Sequence, residues 1–212
     1  PRTVPGTRRA TFARTLASAL AVSVLLAVAL LPSSSVAQTT KRGYEVLAFD
    51  KGSDNFLLKV DDPGVGTIFQ VRMTFQGRLV EERMAPIGQE AATQEALTTK
   101  HKLGVEPVTG QETPDKKHVL MGFKDRSDYR LFVMQGERVG YYDRIALKKD
   151  REGKTGEAYM KEVYWTPDGK NFVVILHQKL ASTDDRTDYD TDFFYVFKFK
   201  RYKIRFGGDD ET

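Results

Sequence analysis

Short β-forming runs separated by turn residues dominate this chain from Gly43 onward. Runs rich in Val, Ile, Phe and Tyr alternate with clusters of Gly, Asp, Asn and Pro, which is typical of antiparallel strands joined by tight turns. The pattern predicts an all-β fold, an antiparallel meander of related hairpins arranged as a sandwich or an incomplete propeller. The predicted strands are residues 44–49, 56–60, 67–75, 78–84, 118–123, 130–135, 139–147, 159–165, 172–180 and 193–206.

One segment departs from the strand pattern and predicts a single amphipathic helix near residues 89–103. Its apolar face is predicted to lie on the sheet and to consist of Ala92, Ala96, Thr99 and Leu103, which fall at helical spacing. Gly104 follows directly and is expected to end the helix. Residues 105–117 contain proline and glycine without any periodicity, so they are expected to form a loop.

Residues 1–37 have the order of a secretory signal peptide. They carry four arginines and no acid, run uncharged from Leu16 to Leu31 and close with Ser35-Val36-Ala37. The apolar run has 16 residues, fewer than the roughly 20 that cross a membrane as a helix. The segment therefore predicts a cleaved signal, a mature chain that begins at Gln38, and export to the periplasm or the extracellular medium.

Removing that segment changes the charge of the chain. The sequence has 33 basic and 29 acidic residues, so the loss of four arginines leaves 29 of each and a net charge of zero. Nucleic acid is therefore not expected as a partner, and the membrane is expected to be met only through the export signal. Without cysteine, the fold is expected to rely on the core of one β-rich domain, residues 38–206, followed by a disordered tail, residues 207–212.

Three predicted hairpins share one layout, with two strand residues seven positions apart on either side of a polar turn. These pairs are Phe49 and Phe56, Phe123 and Arg130, and Trp165 and Phe172. The third turn is the most sharply defined, because Pro167 presets one backbone angle and Gly169 accepts a positive φ on either side of Asp168. Pro167, Asp168 and Gly169 are therefore predicted to form a structural turn.

The third hairpin resembles a known repeat. Residues 165–170, Trp-Thr-Pro-Asp-Gly-Lys, are similar to the W-S-P-D-G-K hairpin of TolB-type, WD40-like propeller repeats, which occur in many exported bacterial proteins. The layout of the chain also resembles bacterial predicted-secreted proteins of unknown function, through its export signal, its Glu81-Glu82-Arg83 strand end and its alanine-rich helix. These resemblances imply an exported location and a propeller-like β repeat, and they imply no activity.

An acidic segment precedes the last predicted strand. Asp188, Asp190 and Asp192 match the first three ligand positions of an EF-hand loop. The match ends there, since Phe193 and Phe199 stand where that loop has glycine and glutamate. Calcium is the one cofactor that this segment could bind, and the other interpretation is a solvated acidic loop that offsets the basic strand after it.

The last predicted strand combines aromatic and basic residues. Its cations are Lys198, Lys200, Arg201, Lys203 and Arg205. They form either a basic, aromatic strip that binds an anionic polymer or headgroup, or the charged outer face of a buried strand. The apolar phase changes at Lys200-Arg201, which predicts a β-bulge that keeps the aromatic residues on one face.

Local motifs for catalysis are absent from the sequence. The three histidines have no paired spacing, no serine lies in G-x-S-x-G, and there is no glycine-rich phosphate loop. The leading hypothesis is an exported cell-envelope binding or interaction module without catalytic activity, whose partner is an envelope protein or a glycan. One alternative is a glycan hydrolase or lyase with carboxylates from distant strands, and the other is a calcium-dependent structural module.

Overall fold

A computed structural model describes residues 41–149, 153–180 and 189–206 of the chain. Strands make up most of this part, and they confirm the all-β prediction. They are β1 (Gly43–Asp50), β2 (Asn55–Asp62), β3 (Gly66–Met73), β4 (Leu79–Met84), β5 (Leu103–Val105), β6 (Val108–Thr109), β7 (Val119–Asp125), β8 (Asp128–Gln135), β9 (Arg138–Ala146), β10 (Glu157–Trp165), β11 (Asn171–Leu180), β12 (Tyr189–Lys198) and β13 (Arg205–Phe206). Helix α1 (Glu90–His101) follows β4, and a 3-10 helix (Arg201–Lys203) precedes β13.

The strands form three antiparallel sheets. The helix-side sheet has the order β4-β3-β2-β1-β5, the central sheet β12-β11-β10-β6, and the outer sheet β13-β9-β8-β7. Most neighbours in a sheet are consecutive in the chain, as expected for hairpins joined into a meander.

The central sheet is buried on both faces. Alternate residues of β11 point in opposite directions, so Phe172 and Val174 pack against the outer sheet while Val173 and Ile175 pack against the helix-side sheet. A strand that is covered on both sides needs an unbroken apolar run, which the Phe-Val-Val-Ile-Leu sequence of β11 supplies. The sheets therefore stack as a layered sandwich with β11 at its centre.

Trp165 anchors the core between the central and outer sheets. Its side chain is fully buried, its ring centroid lies 4.7 Å from that of Phe172, and its Nε1–H donates to the Gly110 carbonyl at 3.0 Å. This hydrogen bond replaces the one that the indole N–H would make with water, so burial of the ring leaves no donor unsatisfied. Truncation of such a side chain typically costs about 3–5 kcal/mol.

The predicted face of the helix is wrong. Leu97 is the buried residue of α1, while Ala92, Ala96 and Thr99 are exposed. Leu103 is buried beside Leu97 as predicted, but it belongs to β5. The helix touches the helix-side sheet along a narrow strip through Leu97, so the small residues on its other side stay in solvent. It ends at His101, where Lys102 takes a left-handed φ of 53°, and the chain beyond it enters β5 instead of stopping at Gly104.

The three hairpins pair as their shared layout predicts. Phe49 lies opposite Phe56 in the helix-side sheet, and Trp165 lies opposite Phe172 in the central sheet. Phe123 lies opposite Arg130 in the outer sheet, where two further pairs tighten the turn. One hairpin of this layout therefore contributes to each sheet.

The last predicted strand is wrong as a continuous element. The chain leaves the central sheet after Lys198, turns through the 3-10 helix and joins the outer sheet as β13, so no bulge carries one strand past Lys200-Arg201. Tyr142 fixes the crossing, because its hydroxyl donates to the Lys198 carbonyl at 2.7 Å and accepts the Lys200 N–H at 3.3 Å. The predicted loop 105–117 also contains a short strand, β6.

Some predictions fall outside the described residues. The signal segment 1–37, the predicted calcium ligand Asp188 and the tail 207–212 all lie there. Within the described ranges, no helix has the length and apolar character needed to cross a membrane.

Candidate functional site

Residues 113–118 and 166–171 adopt the same turn, and both begin with Thr-Pro-Asp. In the second turn, Thr166 Oγ1 donates to Asp168 Oδ1 at 2.6 Å, and the Lys170 N–H donates to the same oxygen at 3.0 Å. The first turn repeats these two contacts at 2.7 and 3.2 Å. In each turn the aspartate thus holds the loop closed through Oδ1, while its Oδ2 faces a cation, Arg201 in the first turn and Lys170 in the second.

The fourth position of each turn has a left-handed backbone. Gly169 has a φ of 66°, as predicted for the turn that it forms with Pro167 and Asp168, and Lys116 has a φ of 57° at the equivalent position of the first turn. This first turn was not predicted, because residues 105–117 were assigned to a loop. The signal was present, because T-P-D-x-K occurs at residues 113–117 and again at 166–170.

The two turns enclose a cavity of about 350 Å³. They lie in contact, since a Cβ placed on Gly169 would be 3.4 Å from Pro114 Cδ. Arg201 Nη2 lies 2.6 Å from Asp115 Oδ2, and Phe199 also lines the cavity. The structure therefore brings the predicted structural turn together with one member of the predicted basic strip.

The acidic segment does not line this cavity, and its described carboxylates face lysine and histidine side chains. Asp192 is buried, and its carboxylate lies 2.7 Å from Lys161 Nζ and 2.8 Å from His177 Nδ1. Asp190 lies 3.3 Å from both His177 Nε2 and Lys41 Nζ. Among the described residues there is no group of three or more metal-ligating side chains placed to hold an ion. These contacts are those of an ion-pair network.

The predicted basic strip divides between two surfaces. Lys198 ends β12 in the central sheet, opposite Asn171. Arg201 reaches the cavity between the turns, and Lys203 lies 3.6 Å from Asp143. Arg205 lies in the outer sheet. These four cations therefore do not form one continuous site.

The outer sheet has one face that no described element covers. We call it the open face, and it consists of Val119, Met121, Phe123, Phe132, Met134, Val139 and Tyr141. Cross-strand pairing places these side chains in rows, with Met134 between Val119 and Val139 and Phe132 between Met121 and Tyr141. Phe123 is 54% exposed and Val139 is 48% exposed.

Aromatic rings form a ladder along the open face. The ring centroids of Phe123 and Phe132 are 5.0 Å apart with the planes at 9°, and those of Phe132 and Tyr141 are 5.7 Å apart at 78°. Both arrangements are favourable for aromatic pairs. The ladder is thus preorganised without any further layer of described residues over it.

Arginines border the ladder. Arg130 pairs with Asp125 at 2.6 Å, and Arg144 reaches Asp128 at 3.4 Å. Arg205 lies directly opposite Tyr141 in the β13–β9 pairing, so this member of the predicted basic strip lies on the open face. Apolar rows and guanidinium groups therefore meet on one surface.

Four carboxyl groups of the described residues have a pKa below the ordinary value. The pKa is lowered for Asp62, Glu81, Asp115 and Asp168. For Asp115 the main cause is the hydrogen bond from Thr113, which stabilises the charged form. A glycosidase acid needs a raised pKa instead, so these shifts do not favour the hydrolase alternative.

No protein-family model, curated protein or solved structure matches this chain. The likeness of residues 165–170 to a propeller hairpin therefore remains a local resemblance. The functional conclusion has to come from the surfaces of the molecule itself.

Proposed function

We propose that this chain is an exported interaction module without catalytic activity, and that its open face binds another protein. The observation that carries the proposal is the uncovered aromatic and apolar face of the outer sheet. The equivalent outward face of the helix-side sheet is covered in part by α1, through Leu97. An apolar sheet face that stays in water favours association, because burying it removes apolar surface from solvent.

The composition of the open face supports a protein partner. The centres of protein interfaces are enriched in aromatic residues, methionine and arginine, and depleted of lysine and acids. The face combines Phe123, Phe132 and Tyr141 with two methionines, and arginines border it. Methionine side chains adapt to an irregular partner surface.

Export is the second part of the proposal, and the order of residues 1–37 supports it. The test is amino-terminal sequencing of the protein recovered from the periplasm or the medium of cells that express the full chain. We expect the mature protein to begin at Gln38. A recovered protein that begins upstream of Leu16 would contradict both the cleavage site and the charge balance of the mature domain.

Site-specific photo-crosslinking in intact cells tests the open face. A benzoylphenylalanine in place of Met134 lies at the centre of an apolar row, and the same residue in place of Glu95, exposed on α1, is the control. We expect a discrete protein adduct from position 134 and none from position 95. An adduct with a second copy of the chain would still place a protein on this face.

Charge substitution then shows whether the face itself recognises the partner. Phe123→Glu combined with Val139→Glu changes two half-exposed side chains and leaves the core intact. The matched control is Phe75→Glu, because Phe75 is 67% exposed and lies outside the open face. We expect the double substitution to abolish the adduct and Phe75→Glu to leave it unchanged. The opposite result, or turnover of a peptidoglycan, polysaccharide, ester or phosphate substrate by the purified mature domain, would end the proposal.

A further inference from the structure

The cavity between the two Thr-Pro-Asp turns has the features of a small-molecule site. It is separate from the open face and is lined by polar groups of both turns together with Pro114, Pro167 and Phe199. We propose that this cavity binds a neutral saccharide unit. The inference depends on the pairing of the turns and stands apart from the protein partner proposed above.

The charges that line the cavity cancel. Asp115 and Asp168 contribute two negative charges, and Arg201 and Lys170 contribute two positive ones. A bound anion would face both carboxylates, and a bound metal ion would face a guanidinium and an ammonium group. A ligand without net charge meets neither repulsion, which selects an uncharged polar molecule.

The polar groups of the cavity suit hydroxyl groups. A hydroxyl both donates and accepts, and here each carboxylate acceptor lies beside a cationic donor. The two pairs are Asp115 with Arg201 at 2.6 Å and Asp168 with Lys170 at 3.1 Å. Arg201 and Lys170 keep further N–H groups for a ligand, and their side chains are 62% and 72% exposed. A vicinal diol can therefore bridge a donor and an acceptor at either pair.

The turns fix the acceptors in advance. Thr113 holds Asp115 and Thr166 holds Asp168, in each case through Oδ1, so the Oδ2 atoms point to the cationic groups. A site whose groups are already oriented loses less conformational entropy when a ligand binds. The repeated turn thus builds two equivalent hydroxyl-binding corners.

Phe199 supplies the apolar part of the cavity. Its ring meets Trp165 edge-on with centroids 5.3 Å apart, and its N–H donates to the Lys170 carbonyl at 2.7 Å. A sugar ring has an apolar C–H face that can lie on such a ring while its hydroxyl groups reach the rim. The volume of about 350 Å³ is in the lower part of the range of about 300–1,000 Å³ for ligand sites, as expected for a mono- or disaccharide.

Titration followed by two-dimensional amide NMR of the mature domain tests the proposal. The probes are maltotriose, cellotriose and triacetylchitotriose, with inorganic phosphate and calcium chloride as charged comparisons. We expect at least one saccharide to shift the Gly169 and Lys170 amide signals saturably, with a Kd on the order of 1 mM. No saturable shift with any of the three saccharides, or saturation by phosphate or calcium at these same signals, would overturn the proposal.

Two variants separate this cavity from other surfaces. Arg201→Gln removes one ligand donor, and Arg205→Gln, in the same segment, changes a cation on the open face. We expect Arg201→Gln to weaken saccharide binding about tenfold, which corresponds to about 1.4 kcal/mol, because a charge-assisted hydrogen bond to the ligand is lost, and Arg205→Gln to leave it unchanged. Lys170→Gln repeats the test at the second turn, and thermal melting confirms that each variant is folded. Unchanged binding in both cavity variants would refute the site.

Discussion

Glu81 offers a quantitative test of how the helix is held on the helix-side sheet. Its carboxylate on β4 lies 2.7 Å from Lys100 Nζ and 2.6 Å from His101 Nε2, both in the last turn of α1, and 2.8 Å from Arg83 Nη2. The side chain is only 19% exposed. Glu81→Gln keeps the shape and removes the charge, so it isolates the electrostatic contribution of this contact.

The magnitude follows from the titration of the carboxyl group. Hydrogen bonds from Lys100 and His101 lower the pKa of Glu81 from 4.5 to about 2. At about 1.36 kcal/mol per pKa unit, this sets a ceiling of about 3.4 kcal/mol. The Lys100 and Arg83 side chains are about half exposed, and solvent screens their charges, so we expect a loss of about 1–2 kcal/mol at neutral pH. Because the folded-state pKa is the lower one, this stabilisation is present above pH 4.5 and disappears as the pH falls toward 2.

Urea unfolding followed by circular dichroism measures this contribution. We expect the wild-type protein to exceed Glu81→Gln by about 1–2 kcal/mol at neutral pH and the difference to vanish near pH 2. Glu82→Gln is the control, because the neighbouring Glu82 accepts a hydrogen bond from Gln70 and has no ion pair among the described residues. A difference that is the same at both pH values, or an equal loss in Glu82→Gln, would refute the reasoning.

Three further predictions concern the turns and the acidic segment. Lys116→Gly should raise the free energy of unfolding by about 0.5–1 kcal/mol and Gly169→Lys should lower it by about 1 kcal/mol, because both positions have a left-handed backbone. Chemical denaturation measures both changes. Changes of the same sign in the two variants would contradict the prediction. Burial, together with the Arg201 charge, lowers the pKa of His118, whose Nδ1 has no hydrogen-bond partner among the described residues. Its contribution to stability is therefore present above its ordinary pKa of 6.5 and is lost on acidification. Thermal melts of His118→Phe should show less acid sensitivity than wild type below that pH, and an identical pH profile would rule His118 out. Millimolar calcium should leave the melting temperature unchanged, because Asp190 already pairs with Lys41 and Asp192 with Lys161, whereas a calcium-dependent rise would restore the metal hypothesis.

Contacts that lie within one hairpin can be predicted from the local sequence. The pairing of Trp165 with Phe172 follows from a turn whose proline and glycine restrict a few backbone angles. The continuous apolar run of β11 likewise indicates a strand that is buried on both sides. These features depend on neighbours in the chain, so the sequence displays them directly.

Contacts between distant segments could not be predicted in the same way. Asp192 is paired with Lys161 and His177, which come from β10 and β11. The local spacing of Asp188, Asp190 and Asp192 gives no information about these two distant partners. The last strand divides because Ile204 is buried against the outer sheet while Phe197 belongs to the central sheet. The helix face was predicted wrongly because periodicity cannot tell how wide a strip of α1 the sheet will cover.

The burial of β11 on both faces has a consequence for how the molecule opens. Detachment of the outer sheet would expose Phe172 and Val174 to water and to other chains, and detachment of the helix-side sheet would expose Ile175 in the same way. Loss of one flanking sheet is therefore enough to expose an aggregation-prone strand in this fold. In a two-layer sandwich, the inner faces are exposed only when the two sheets separate from each other. We expect the amide hydrogens of β11 to be among the slowest to exchange with solvent, because their exchange requires the stacked layers to separate.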